Sequence, residues 1–152
     1  MFNLFASNSI GTFIKNHTQA VLATIDHDNQ PHTSVIFYTV NSKDELLFIT
    51  KSQTTKYENL KKNSKAAITI VDKDKPIAAS IVGNAVEVSD VMERDKIMQE
   101  IFKVSYGQLK DYAPIIKVHK GSFIVLKFIP TQAKMSDYTQ PLGKVDEEFK
   151  QY

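Results

Sequence analysis

The apolar residues of the chain occur in short runs separated by compact polar turns, and most of these runs have the composition of β-strands. β-Branched and aromatic residues dominate them, and turn-forming groups at 26–31, 41–44 and 72–76 divide them. Because short turns join the first three runs, we expect an antiparallel meander. Strands are predicted over residues 20–25, 32–40, 46–50, 66–71, 77–88 and 121–128, with 133–138 continuing the last one.

Three segments have helical spacing instead. A short amphipathic helix precedes the first strand, and His17 closes its apolar face. A long helix follows Asp90, which stands three residues before Glu93 in the spacing of a capping box, and it is predicted to end at Gly107. Residues 105–120 show no clear period. The long helix has one apolar stripe, predicted to lie in the core, made of Ile97, Met98, Ile101 and Phe102.

The middle helix lies between the strands 46–50 and 66–71. Thr55 and Glu58 have the capping-box spacing, so the helix is predicted to start with Thr55 as its cap and Lys56 as its first residue. A helix start has free amides and about half a positive charge, so it can bind phosphate. The simpler alternative is a capped helix with solvated lysines. Hydroxyl and ammonium groups crowd this point, from Thr50, Lys51, Ser52, Thr54, Thr55 and Lys56.

Two strands depart from simple alternation of apolar and polar residues. The strand 32–40 is apolar on both faces, as expected for a barrel wall that a partner or a ligand covers. The strand 77–88 contains Gly83, which predicts a bulge or a sharp bend where the strand turns a barrel corner. Both features are typical of a barrel.

Composition restricts the classes of protein that fit the chain. With 152 residues and 42% hydrophobic content, it suits one globular domain. The absence of cysteine excludes disulfide frameworks, thiolate metal sites and cysteine nucleophiles. The net charge is +2, but Arg94 is the only arginine, so a nucleic-acid interface is not predicted. Any bound anion must therefore be held by lysine, hydroxyls and backbone amides.

Motifs for protein-supplied catalysis are scarce. The four histidines, at 17, 27, 32 and 119, lack the spacing of metal ligands, so no metal site is predicted. A nucleophile elbow and a glycine-rich nucleotide loop are both absent, which favours a borrowed cofactor if there is chemistry at all. The first residues lack the pattern of a secretion signal and no apolar run approaches a membrane span, so we expect a cytoplasmic protein without a membrane partner.

The predicted order of helices and strands, together with three sequence segments, resembles that of the pyridoxamine 5′-phosphate oxidase-like FMN-binding split barrels. The segments are AVLATIDHDNQPHTSVIFYTV, LLFITKSQTTKYENLKKNSKAAITI and SIVGNAVEV, and they follow one another at the family's spacing. The resemblance covers residues 13–138. It implies a mainly β protein, a six-stranded antiparallel split β-barrel of Greek-key type with flanking helices. Residues 1–138 would then form a single domain and 139–152 a C-terminal arm.

The resemblance further implies a homodimer with FMN at the subunit interface and a small-molecule substrate. The expected function is that of an oxidoreductase that uses FMN for hydride or electron transfer. A non-catalytic flavin carrier or sensor, or a split barrel that binds deazaflavin or haem, are the alternatives. The cofactor-binding residues carried over by position are Ser34, Val35 and Ile36 at the edge of the flavin ring, Thr50, Thr54, Thr55 and Lys56 at the phosphate with Ile49 as a further member of the set, Ala79 and Ser80 on the far wall, and Tyr138 from the other subunit.

Two departures from the family pattern change what is expected of this chain. Many members have arginine where this chain has Ser34 and Thr55, so Lys56 is expected to be the main cation and FMN to be held less tightly. The vitamin B6 oxidases bind their substrate with a C-terminal arginine and histidine segment, which has no counterpart after Phe128. That oxidase activity is therefore not expected, and neither the catalytic residues nor the substrate is assigned.

Overall fold

A computed structural model of the chain describes residues 9–108 and 121–150. Within them, most helices and strands lie close to where the sequence pattern predicts them, since apolar periodicity and turn residues agree along most of the chain. The elements are α1 (Ser9–Lys15), β1 (Gln19–Ile25), β2 (Pro31–Val40), β3 (Leu46–Lys51), α2 (Thr55–Lys62), β4 (Lys65–Val71), β5 (Ile77–Glu87), α3 (Val91–Gln108), β6 (Phe123–Asp137) and β7 (Asp146–Lys150).

The strands form one antiparallel sheet that closes on itself. Its order is β3-β2-β1-β4-β5-β6-β7, and β3 also pairs with β6, from Leu46 opposite Phe128 to Lys51 opposite Phe123. The strands β1 to β6 therefore make a barrel, and β7 lies beside the C-terminal half of β6. Closure leaves no free edge in the ring. The predicted mainly β fold, a six-stranded antiparallel split barrel with flanking helices, is confirmed.

Alternate residues of the strands fill the barrel interior. Along β1 and β2, Ile36 and Tyr38 point inward and are buried, whereas Val21 and Val35 point outward and are 40% and 49% exposed. The Tyr38 hydroxyl donates a hydrogen bond of 2.7 Å to the carbonyl oxygen of Ile14, and burial raises the pKa of Tyr38 well above its usual range. This bond fixes α1 against the barrel core.

β3 is buried on both faces, which explains its continuous apolar run. One face joins the barrel core, and the other packs on α3 through Leu47. A second apolar cluster forms there, separate from the barrel interior. The predicted core stripe of α3 is confirmed, because Ile97 and Ile101 are buried in this cluster and Met98 and Phe102 pack partly buried against it.

β5 and β6 change register at Gly83, where the sequence predicts a bulge. The pairing shifts between Val82 and Gly83, which leaves Thr131 as an extra residue on β6. A Cβ atom at Gly83 would overlap the carbonyl group of Ile129. The bulge also explains why β6 continues through Pro130, where the sequence predicted an end, since proline is tolerated where the ladder is interrupted.

The segment after residue 138 contains a strand that the sequence did not predict. Residues 146–150 form β7, and the Asp146 carboxylate contacts Lys134 Nζ at 3.1 Å and Ser136 Oγ at 2.7 Å. These are polar contacts, so no alternating apolar pattern could reveal the strand. The division of the chain into a domain and an arm at residue 138 stays a prediction.

α3 begins and ends close to the predicted positions. The Asp90 carboxylate accepts a hydrogen bond of 2.7 Å from the Glu93 amide, so this predicted helix cap is confirmed. The end of α3 at Gln108 agrees with the predicted end at Gly107. The rest of the segment without a clear period, 109–120, lies outside the described residues. No helix in the described part of the chain is long and apolar enough to cross a membrane.

Candidate functional site

The inward face of β1 and β2 becomes polar toward the turn that joins them. Thr24, His32 and Ser34 occupy the same face as Ile36, but they lie nearer the turn. Thr24 is 2% exposed, and its hydroxyl oxygen accepts a hydrogen bond of 3.0 Å from Nδ2 of Asn59 on α2. This buried bond holds the first turns of α2 beside the polar ends of the two strands.

An open cleft of about 440 Å³ lies between the start of α2 and these strand ends. We call it the α2 cleft. Its walls present hydroxyl groups, a side-chain amide, an imidazole and an ammonium group, and no carboxylate among the lining residues that the structure describes. A site of this composition suits an anion. The lining residues are Thr24, His32, Thr33, Ser34, Gln53, Thr54, Thr55 and Lys56.

The start of α2 differs from the predicted capping box. Thr55 is the first helical residue, and Thr54 occupies the cap position (φ −108°, ψ 146°) without a side-chain bond to the helix. The Thr54 hydroxyl donates instead to the carbonyl oxygen of Lys51 at 2.8 Å and lies 3.0 Å from the Thr50 hydroxyl. The predicted capping box of Thr55 and Glu58 is therefore wrong, because the hydroxyl in the cap position closes the preceding turn.

This uncapped start leaves helix amides available to a ligand. The Tyr57 amide bonds to the Thr54 carbonyl at 3.1 Å, whereas the amides of Thr55 and Lys56 find no acceptor in residues 9–108 and 121–150. Both amides lie at the positive end of the helix dipole. A phosphate or carboxylate group placed there would accept hydrogen bonds that the protein does not supply.

Lys56 provides the ammonium group of the α2 cleft. Its side chain is half-buried, and burial lowers the pKa of Lys56 because the charged form loses water. Lys51 turns away from the cleft, since its Nζ lies 3.4 Å from the Gly121 carbonyl oxygen and 3.7 Å from the centroid of the Phe123 ring. Of the two lysines that the sequence groups at this point, Lys56 is the one that lines the cleft.

Four of the predicted cofactor-binding residues are buried in the protein. Ile36 and Ala79 belong to the barrel core, and Ile49 belongs to the cluster between β3 and α3. Thr50 is completely buried and approaches the cleft through its contact with the Thr54 hydroxyl. These residues can shape the site by packing and through their main chain.

Three other predicted residues, Val35, Ser80 and Tyr138, lie on the outer surface of the barrel. Strand register places Val35, Val21, Thr69 and Ser80 in one row across β2, β1, β4 and β5, and Tyr138 is 67% exposed just after β6. A second cleft, of about 530 Å³, borders part of this row. Within one chain these three residues do not reach the α2 cleft. The predicted residues that meet there are Ser34, Thr54, Thr55 and Lys56.

His32 lines the α2 cleft but is not among the predicted site residues. Its Nε2 lies 2.8 Å from Oδ2 of Asp26, whose Oδ1 accepts the amides of Asp28 and Gln30. The bond to His32 and, after it, the two amide bonds lower the pKa of the Asp26 carboxyl. The sequence held one signal for this residue. His32 stands two residues before Ser34, so both side chains lie on one face of β2.

The same turn brings together three groups that could in principle ligate a metal. Asp26, His27 and Asp28 each place one donor atom within 4.8 Å of the others. The Asp26 carboxylate is engaged by the turn amides and His32, and Oδ2 of Asp28 lies 3.1 Å from His27. The absence of a metal site stays a prediction.

The fold and the cleft define a class of protein, a split β-barrel whose α2 start can accept an anion. The chain belongs to the pyridoxamine 5′-phosphate oxidase family, whose sequence model matches residues 7–136. The resemblance inferred from the sequence is thereby confirmed. No curated protein matches the chain.

Solved structures share the fold at low sequence identity. A conserved hypothetical protein from Mycobacterium tuberculosis is 20% identical, with a TM-score of 0.71 over 92% of this chain and 91% of that chain. A pyridoxamine 5′-phosphate oxidase-related, FMN-binding protein from Nostoc punctiforme PCC 73102 is 14% identical, with a TM-score of 0.59 over 86% and 79%. A haem-binding protein from Mycobacterium smegmatis is 15% identical, with a TM-score of 0.64 over 88% and 52%. At these identities the likeness concerns the fold alone.

Proposed function

We propose that this protein binds FMN as a homodimer and uses it for hydride or electron transfer to or from a small molecule. The observation that carries the proposal is the α2 cleft in a member of this family. There the Lys56 ammonium, the Thr55 hydroxyl and the two free amides of Thr55 and Lys56 lie at a space whose described lining residues include no carboxylate. These groups suit a phosphate ester, which offers negative charge and several acceptor oxygens.

FMN would supply the redox chemistry, because its flavin ring exchanges a hydride or electrons. The residues of this chain would bind and orient it. Lys56 and the first amides of α2 would hold the phosphate, and Ser34 would contact the adjoining part of the cofactor from β2. No side chain is assigned as a catalytic acid or base, so position and electrostatics are the contribution of the protein.

Homodimerisation belongs to the proposal because an apolar surface crosses the outside of the barrel. Val21, Val35, Val71 and Val82 are between 40% and 62% exposed, and the strands that carry them, β2, β1, β4 and β5, are neighbours in the sheet. A second copy that covered this surface would remove apolar area from water. Tyr138 is proposed to approach the flavin from that second copy.

Retention of FMN after desalting tests the proposal directly. Purified protein is incubated with FMN, desalted and examined for flavin absorbance and for a rise in Tm, since a ligand that binds the folded state raises its stability. We expect both signals. Protein that shows neither would contradict the proposal. NAD(P)H oxidation by the FMN-loaded protein would support an oxidoreductase over a non-catalytic carrier or sensor.

A different cofactor in the same barrel is the second candidate. It is favoured by the haem-binding protein from Mycobacterium smegmatis, which shares this fold. Deazaflavin is the other alternative. The absorption spectrum of the protein as purified distinguishes them, because flavin, deazaflavin and haem absorb at different wavelengths. A haem spectrum that persists after FMN is added would favour the second candidate.

A further inference from the structure

The α2 cleft contains a second basic side chain besides Lys56. His32 lines the cleft from β2, and Arg94, the only arginine of the chain, lies on α3 outside it. We propose that His32, oriented by Asp26, is the second cationic group that holds the phosphate of FMN, so that FMN affinity depends on a proton on the His32 ring. This inference rests on the proposed function and adds a determinant of affinity to the same site.

Asp26 fixes the orientation of the imidazole ring. Oδ1 of its carboxylate accepts the amides of Asp28 at 2.8 Å and Gln30 at 2.9 Å, so the hairpin turn holds it in place. Its Oδ2 lies 2.8 Å from Nε2 of His32. Because an ionised carboxylate can only accept, Nε2 is the donor in this bond. Nδ1 is therefore the nitrogen that gains or loses the second proton.

The state of Nδ1 decides how the ring would interact with an anion. In the neutral ring, Nδ1 is an acceptor and repels phosphate oxygens. In the protonated ring, it is a donor and the ring has a positive charge, so the interaction becomes attractive. A proton on Nδ1 would therefore add a binding partner for the phosphate.

The charged groups around His32 are few in the described part of the chain. The hairpin turn contributes Asp26, which bonds to the ring, and Asp28, which pairs with the other histidine of the turn. α2 contributes Lys56, and the residue opposite His32 on β1 is Thr24, which is neutral. An anion in the cleft would then lie near two basic side chains, one of which is hydrogen-bonded to the Asp26 carboxylate.

The test compares FMN affinity in His32→Gln and unchanged protein, measured by quenching of flavin fluorescence at about pH 6 and about pH 8.5, the two sides of the imidazole range. His27→Gln is the matched control, because this histidine belongs to the same turn but is 71% exposed and does not line the cleft. The phosphate of FMN itself titrates near pH 6, which affects both proteins alike. The readout is therefore the dissociation constant of His32→Gln divided by that of unchanged protein at the same pH. Riboflavin, which lacks the phosphate, is measured in parallel.

We expect His32→Gln to bind FMN about three- to tenfold more weakly than unchanged protein at the lower pH, a modest effect because the ring is partly exposed. The ratio should approach one at the higher pH. His27→Gln should follow unchanged protein, and riboflavin affinity should not change. A ratio that is the same at both pH values, or an equal loss in His27→Gln or for riboflavin, would overturn the role of His32 and leave the proposed function intact.

Asp26→Asn provides a second variant whose turn can still form, since the asparagine oxygen also accepts amides. Its side-chain amide would donate to Nε2, which moves the proton of the neutral ring to Nδ1. The pH dependence of FMN affinity should then become smaller than in unchanged protein. An unaltered pH dependence would contradict the orienting role of Asp26. Unchanged protein that binds no FMN at either pH would overturn the proposed function, and this inference with it.

Discussion

The Lys56 ammonium lies half-buried at the start of α2, in a cleft that no carboxylate of residues 9–108 and 121–150 lines. Lysine is seldom buried without a partner, and here burial lowers its pKa. A bound anion would offset the hydration that this lysine has lost. Lys51 is the same residue type on the same stretch of chain, but the Phe123 ring and the Gly121 carbonyl hold it elsewhere.

Replacing Lys56 by alanine should weaken FMN binding by about 10- to 150-fold, because it removes one charge-assisted hydrogen bond worth about 1.5–3 kcal/mol. Lys51→Ala is the matched control, since this side chain does not line the cleft. Both affinities are measured by titration of flavin fluorescence. Equal effects of the two substitutions would reassign the phosphate site.

Side chains adjacent in sequence are the part of the site that could be predicted from the residues themselves, whereas Ser34 was assigned only through the family resemblance. Thr54, Thr55 and Lys56 follow one another at a helix start, so their convergence needs no tertiary information. His32 and Thr24 reach the same cleft only through the pairing of β1 with β2 and the packing of α2 on both, which the spacing of residues does not show. The capping box failed for a related reason, since a threonine hydroxyl can bond to the preceding turn as well as to the helix.

The strands show which elements a sequence pattern can predict. The barrel strands were predicted because apolar alternation and turn residues agree, and the doubly buried β3 was visible as a continuous apolar run. β7 was not predicted, since its described contacts are polar. The continuation of β6 through Pro130 depends on the bulge opposite it, which is a property of the strand pair and not of one segment.

Gly83→Ala should destabilise the protein by about 3 kcal/mol, the upper range for overpacking, because the new Cβ would meet the backbone carbonyl of Ile129 and the buried ring of Phe128. The control is Gly143→Ala, where the Cβ would have open space and only the positive φ of 85° opposes the change. We expect about 1 kcal/mol there. Both are measured as free energies of unfolding in denaturant. A loss at Gly83 no larger than at Gly143 would contradict the bulge geometry.

The molecule as a whole has two surfaces that belong to one proposed site, the α2 cleft and the exposed valine surface of β1, β2, β4 and β5. Val35 and Ser34 are neighbours on β2, yet they face these two surfaces because strand residues alternate. A cofactor held at a subunit interface would contact both. The dimer is therefore part of the binding site in the proposal.

Val35→Glu should weaken the dimer by at least about tenfold, because an unpaired carboxylate would be buried in the interface. Val91→Glu is the control, since this valine is 56% exposed on α3, outside the valine surface. Light scattering over a range of protein concentrations measures the dimer, and FMN affinity should fall together with it. Unchanged protein that is monomeric at micromolar concentration would contradict the dimer.

The most direct measurement compares the affinity of unchanged protein for FMN and for riboflavin, two ligands that differ by the phosphate. The α2 cleft predicts that FMN binds at least about tenfold more tightly, since in the proposed site Lys56 and the free amides of α2 would contact only the phosphate. Equal affinity for the two flavins, or no binding of either, would contradict the assignment of the α2 cleft as a phosphate site for FMN.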